Sequence, residues 1–305
     1  MIYIDKSITM IFTGNIIDFH AHGVPKAAGP LVVIAHDMLF NNCVATEFDY
    51  AKNASLTDYT IDGPMGLLHS MEETGIGHSV LLPVASKPGS AFETNKSMLA
   101  VVNEHRAQLS TFATFHPELT KRAGWFEYLT ELKAQGFKGI KVHSLRQKYN
   151  PLSDEAKALY AACAQLGLPI LMDTYRHKDG MKVPKIFEFD ETHRTTPRVI
   201  AQILEDFPHL TIVAAHLGGL LQYDEVANHL LGKNLFIDTS FAIFYATDDE
   251  VKRILLGHDP HKLLFGTDTP ARTQKETIER MLGYKLPDSL YEAIFYANAQ
   301  RLLNI

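Results

Sequence analysis

Gly136-Phe137-Lys138-Gly139-Ile140-Lys141-Val142-His143 reads as a helix stop followed at once by a strand. Residues 123–135 carry a helical pattern, Gly136 ends it, and 138–143 form a short apolar strand. The same grammar repeats: a helical pattern over 153–166 stops at Gly167, and Pro169-Ile170-Leu171-Met172-Asp173 is the next strand. Alternation of this kind signals parallel strands joined by crossover helices.

Working outward, the alternation extends along most of the chain. A first strand covers 16–21. Helix 64–74 precedes strand 79–84, and helix 93–107 precedes strand 111–115. Helices 196–206, 222–231 and 248–257 precede strands 210–215, 234–239 and 262–267, and helices 273–283 and 287–303 follow. The count predicts an α/β fold, a (β/α)8 TIM barrel forming one domain over residues 1–305, with active residues where strands end and loops begin. Two long loops interrupt it, after strands one and five. Residues 26–62 read as an insert or lid, and 174–194 as a second, charged loop.

Composition narrows the partners. The 305 residues are 46% hydrophobic, enough for a large core, and the net charge of −6 argues against nucleic acid or an anionic membrane as partner. Cys43 and Cys163 sit in unrelated contexts and form no disulfide framework, and no apolar run is long enough to span a bilayer. Ile8 to Phe12 are apolar after Lys6, but no small-residue cleavage site follows. The expectation is a cytoplasmic protein with a small-molecule substrate; an oligomer of identical chains is compatible with it.

The strand ends carry a distinctive set of side chains. Strand one ends in Asp18-Phe19-His20-Ala21-His22, where strand alternation places Asp18, His20 and His22 on one side. Strand four ends in His143, strand five in Asp173, strand six in His216 and strand eight in Asp268. Imidazoles and carboxylates of this kind suit zinc, manganese or iron, with zinc preferred. A divalent ion with one open position lowers the pKa of its bound water from 15.7 to about 7 and makes a nucleophile without serine or cysteine. No Gly-x-Ser-x-Gly elbow is present.

These pieces resemble the amidohydrolase superfamily, in the branch of amidohydrolase-related metal-dependent hydrolases that also holds the aminocarboxymuconate semialdehyde decarboxylase-like enzymes. The resemblance rests on residues 18–22 and 136–143, Leu168-Pro169-Ile170-Leu171, Ala215-His216-Leu217-Gly218-Gly219, Leu264-Phe265-Gly266-Thr267-Asp268 and Asn298-Ala299-Gln300-Arg301-Leu302-Leu303, in order along nearly the whole chain. It implies that His20, His22 and Asp268 bind one divalent metal and that His216 stands beside it. Asp173 occupies the position of a family histidine and ligates as a shorter, anionic arm. Lys141 reads as a buried charge paired with Asp18 or Asp268.

By the same resemblance the reaction is hydrolysis of a small amide, lactone or related carbonyl compound. Asp268 would move the proton of the attacking water and His216 would hold it or the substrate oxygen in line. His143, Arg146, Arg176 and Tyr175 are candidates for substrate binding, and Arg272 lies just past strand eight, where it could clamp a carboxylate. The alternatives are a metal-dependent non-oxidative decarboxylase, which the same constellation serves, and a non-catalytic ligand-binding barrel.

Overall fold

Strand β1, Ile16–Ala21, is buried along its whole length, as a strand covered on both faces must be. The computed structural model describes residues 16–22, 64–175 and 190–305. Parallel to β1 run β2 (Ile76–Leu81) and β3, which comes in two pieces, Leu109–Thr111 and Ala113–Thr114, broken at Phe112. Then follow β4 (Ile140–Val142), β5 (Ile170–Met172), β6 (Ile212–Ala214), β7 (Phe236–Asp238) and β8 (Leu263–Leu264), each pairing in parallel with its predecessor. Backbone bonds close the ring: the Phe19 N–H donates to Phe265 O and the His22 N–H to Thr269 O, both at 2.8 Å. The result is the (β/α)8 barrel that the alternation implies.

The outer layer is α1 (Pro64–Thr74), α2 (Ser90–Glu104), α3 (Trp125–Ala134), α4 (Ser144–Gln147), α5 (Asp154–Leu166), α6 (Pro197–Asp206), α7 (Tyr223–His229), α8 (Asp248–Gly257) and α9 (Gln274–Gly283). Two short helices, α10 (Asp288–Glu292) and α11 (Asn298–Leu303), flank a π turn and finish the chain. Capping sets the boundaries. The Ser153 and Thr196 hydroxyls accept from the backbone N–H three residues on, and Thr247 and Thr273 close reciprocal boxes with Glu250 and Glu276.

Strands β4 to β8 are shorter than the sequence suggests, and β2 and β3 begin earlier. β2 begins at Ile76 instead of 79, because Gly75 turns the chain straight out of α1 with φ +72°. Helix α2 starts at Ser90, earlier than 93, and the 287–303 helix is three consecutive pieces. The 26–62 insert lies outside the described residues, as do 176–189 of the second loop.

Among the described residues two separate apolar clusters divide the labour. The larger lies between strands and helices, while Ile17, Phe19, Val80, Phe112, Leu171 and Val213 belong to a second that fills the barrel, together with Ala299 and Leu303 of α11. Gly139 permits this packing, since a Cβ there would lie 2.5 Å from both the Phe112 ring and the Pro169 carbonyl oxygen.

A register shift in β1 decides where the first-strand side chains go. Asp18 pairs with Ser79 and Ala21 with Leu81, so β1 takes three steps where β2 takes two, a β-bulge. The alternation rule therefore fails here. Phe19 joins the barrel-filling cluster, whereas Asp18 points outward, accepting from Gln274 Nε2 of α9 at 2.9 Å and Thr267 Oγ1 at 2.7 Å. His20 and His22, beyond the bulge, share the barrel mouth; Asp18 does not.

Candidate active site

At the mouth of the barrel His20 is fully buried and its two nitrogens meet opposite surroundings. Nδ1 donates to Asp238 Oδ2 at 2.9 Å, which fixes the tautomer and leaves a lone pair on Nε2. That Nε2 has no hydrogen-bond partner among the described residues; it faces Asp268 Oδ1 at 3.4 Å, and His22 Nε2 reaches the same oxygen at 2.9 Å. A buried lone pair directed at a carboxylate oxygen is unfavourable unless a cation lies between them. His20, His22 and Asp268 thus have the donor set, the convergence and the orphaned atom that a divalent ion requires.

His216 is held in the other protonation state. Its ring stacks on that of His20 with centroids 5.2 Å apart and planes at 28°. Nδ1 lies 3.2 Å from the Ser240 carbonyl oxygen and Nε2 lies 3.2 Å from Asp173 Oδ2, both of which can only accept. Both nitrogens therefore carry protons. Burial alone would lower the His216 pKa, but the Asp173 charge and hydrogen bond, with Asp268 and Asp238 behind them, push it up to about 9. For His20 burial prevails over the pull of Asp238 and takes the pKa down to about 4.

Asp238 and Ser240, at the end of β7, tie the two imidazoles together. Asp238 Oδ1 accepts from the His216 and Ser240 backbone N–H groups at 2.9 and 3.0 Å, and from the Ser240 hydroxyl. The hydroxyl oxygen also lies 2.9 Å from His216 Nδ1 and 3.1 Å from His20 Nδ1. His20, His216 and Asp238 form a second convergent group, but protons already join its members. Neither Asp238 nor Ser240 is singled out by the sequence reading. The signal was there: Phe236-Ile237-Asp238 ends a strand in a carboxylate, as strands five and eight do.

Asp173 belongs to neither convergent group. Lys141, fully buried on β4, reaches its Oδ2 at 3.3 Å, and His143 Nε2 reaches its Oδ1 at 3.4 Å. Lys141 accordingly pairs with Asp173 and not with Asp18 or Asp268, because the bulge turns Asp18 away and the strand order sets β4 beside β5. Burial disfavours the charged form of Asp173, yet the neighbouring Lys141 and the His216 charge and hydrogen bond outweigh it and hold the carboxyl well below the usual range. His143 is driven by burial down to about 3, against the pull of Asp173. Burial raises Asp18 to about 6, and hydrogen bonds from Gln274 and Thr267 limit the rise.

The remaining expected residues are spread around the rim. Arg146 is exposed on α4, where its charge acts on His143. Tyr175 forms a backbone bridge with Leu220, and burial raises its phenol pKa. Arg176 lies outside the described residues. Backbone conformation also marks the site. His216, Phe241 and Asp268 hold φ of +59°, +55° and +63°, conformations that non-glycine residues adopt at a cost of about 1–3 kcal/mol each.

The family model described as amidohydrolase matches residues 17–305. The chain belongs to the amidohydrolase family. This amidohydrolase-family barrel is similar in fold to a dihydroxybenzoic acid decarboxylase from Polaromonas sp. JS666, solved with manganese and 2-nitroresorcinol, at 15% identity and TM-score 0.68, covering 95% of this chain and 97% of that one. A 5-carboxyvanillate decarboxylase from Novosphingobium aromaticivorans, also with manganese, gives 13% and 0.69 over 95% and 96%. A probable 2-pyrone-4,6-dicarboxylic acid hydrolase from Acinetobacter baumannii gives 16% and 0.63 over 95% and 100%. At these identities the likeness is one of fold. Among curated proteins no relative matches the chain. No helix among the described residues is long and apolar enough to cross a membrane.

Proposed function

We propose that the protein is a divalent-metal-dependent enzyme that removes carbon dioxide non-oxidatively from a small aromatic or unsaturated carboxylic acid. The observation that carries this reading is the stacked pair of imidazoles in opposite states: His20 offers a lone pair and His216 offers a proton. Decarboxylation needs an acid, because the carbon that loses its carboxylate must gain a proton. Hydrolysis would instead ask Asp268 to act as the base, and that carboxylate is one of the three groups that would hold the metal. The decarboxylases among the structures of similar fold support the same choice over hydrolysis, the first expectation from the sequence.

His20 Nε2, His22 Nε2 and Asp268 Oδ1 would hold the metal, with zinc or manganese the ion that suits two nitrogens and one carboxylate. When bound, the ion would supply Lewis acidity that withdraws electrons from a coordinated substrate oxygen. His216 delivers its Nε2 proton to the substrate carbon. The pair of electrons in the bond to the departing carboxylate returns to the ring or alkene, carbon dioxide leaves, and His216 is reprotonated from solvent. Asp173 keeps His216 charged until then, and Lys141 keeps Asp173 ionised. Asp238 holds the His20 tautomer.

Turnover of 2,6-dihydroxybenzoate, 5-carboxyvanillate and 2-pyrone-4,6-dicarboxylate by the manganese-loaded protein in deuterated, 18O-labelled water tests the choice. Decarboxylation releases carbon dioxide and places one deuterium on the carbon that lost it. Incorporation of 18O without carbon dioxide would move the assignment to hydrolysis.

A further inference from the structure

Arg272 is the feature of the rim that the reaction just described leaves unexplained. It follows β8 closely: the Ala271 N–H donates to Asp268 O at 2.8 Å, a tight turn that brings Arg272 back beside the mouth. Its guanidinium carbon stands 4.5 Å above the Phe244 ring and 5.8 Å from the Tyr245 ring. Among the described residues its buried Nε has no hydrogen-bond partner and no carboxylate pairs with it. Arg194, Arg253 and Arg280, by contrast, rest on Glu191, Asp224 and Asp248 at 2.6–2.7 Å.

The placement is costly for a cation that serves packing alone. Arg272 immediately precedes Thr273, the N-cap of α9, where the helix dipole is positive. The nearest acid of that helix, Glu276, is already committed to the Thr273 backbone and hydroxyl at 3.3 and 3.0 Å. A guanidinium with one face stacked on an aromatic ring keeps its edge for a forked bond to a carboxylate. The aromatic wall beneath it leads to the acid, since Tyr245 packs on Phe241 at 4.7 Å and Phe241 on His216 at 6.2 Å.

We propose that Arg272 is a specificity-determining residue that binds a second carboxylate, remote from the reacting carbon, on a substrate whose ring lies along Phe241, Tyr245 and Phe244. The proposal rests on the reading of the site as one for carboxylic acids. It is tested by binding rather than turnover. Calorimetry of the manganese-loaded protein with isophthalate and with benzoate should show isophthalate bound on the order of tenfold more tightly or better, the contribution of a charge-assisted pair. Arg272→Gln should remove that preference while leaving benzoate affinity within about twofold, and Arg272→Lys, which keeps the charge without the fork, should retain part of it. Equal affinities in the unaltered protein, no binding of either acid, a preference that survives Arg272→Gln, or equal loss of both acids in Arg272→Gln and Arg272→Lys would overturn the proposal. Absence of carbon dioxide release alongside an intact isophthalate preference would instead sink the lyase assignment and leave this one standing.

Discussion

The chemistry of single residues here is set by what each polar atom can do with its neighbour. His20 becomes a lone-pair donor only because its Nδ1–H donates to Asp238, so Asp238→Asn should weaken manganese binding by about 10–100-fold without removing any ligand, read by metal titration. His20→Ala should abolish uptake. The Lys141–Asp173 pair predicts a different quantity. Asp173→Asn strands a buried ammonium and should destabilise the fold by about 3–5 kcal/mol in denaturant titration, whereas Lys141→Met combined with Asp173→Leu should recover most of that stability at the expense of activity. Equal destabilisation by the single and double variants would refute the pairing argument.

Elements aim these side chains, and β1 does so through its bulge. Without the extra residue between Asp18 and Ala21, strict alternation would send Asp18 into the mouth with the histidines; with it, Asp18 anchors β1 to Thr267 and to Gln274 of α9. The approach of β8 to β1 is equally tight. A Cβ at Gly266 would lie 2.8 Å from the His20 Cβ and 3.2 Å from the Ser240 Cβ. Gly266→Ala should therefore cost about 1–3 kcal/mol by overpacking and weaken metal binding together, because the displaced atom belongs to His20. Loss of stability with unchanged metal affinity would show that the strain is absorbed elsewhere.

For the whole molecule, pH dependence follows from buried neutral histidines far from the metal cradle. His116 Nδ1 accepts from the Glu118 N–H while Nε2 donates to Gln147 O, and His258 makes the matching pair with the Gly232 N–H and Leu235 O. Neither ring can take a second proton without losing an acceptor. Burial lowers both pKa values, so the unfolded chain binds more protons than the folded one below the ordinary histidine range. The contribution of these two rings should be full above about pH 6.5 and fall as pH drops below it, with a shallower slope in His258→Gln. Manganese at a hundred times its dissociation constant should add about 2.7 kcal/mol, which a chelator removes; an unchanged melting temperature would argue against a folded-state metal site.

Much of this was legible in the chain. Helix stops such as Gly136 and Gly167, and short apolar runs between them, carry the barrel because both periodicities are local properties of the backbone. The strand-end residues His20, His22, His143, Asp173, His216 and Asp268 could be read as one rim because parallel strands all end on the same side. Local pattern could not reveal that a bulge turns Asp18 outward, that Lys141 meets Asp173, or that Asp238 and Ser240 set the protonation of two histidines about 220 and 24 residues away from Ser240 in sequence. Those facts depend on the register and order in which distant strands meet. The amino-acid order specifies which groups reach the mouth of the barrel, and only the closed ring decides which of them hold protons and which hold lone pairs, because a hydrogen bond exists only where donor and acceptor are brought within about 3 Å.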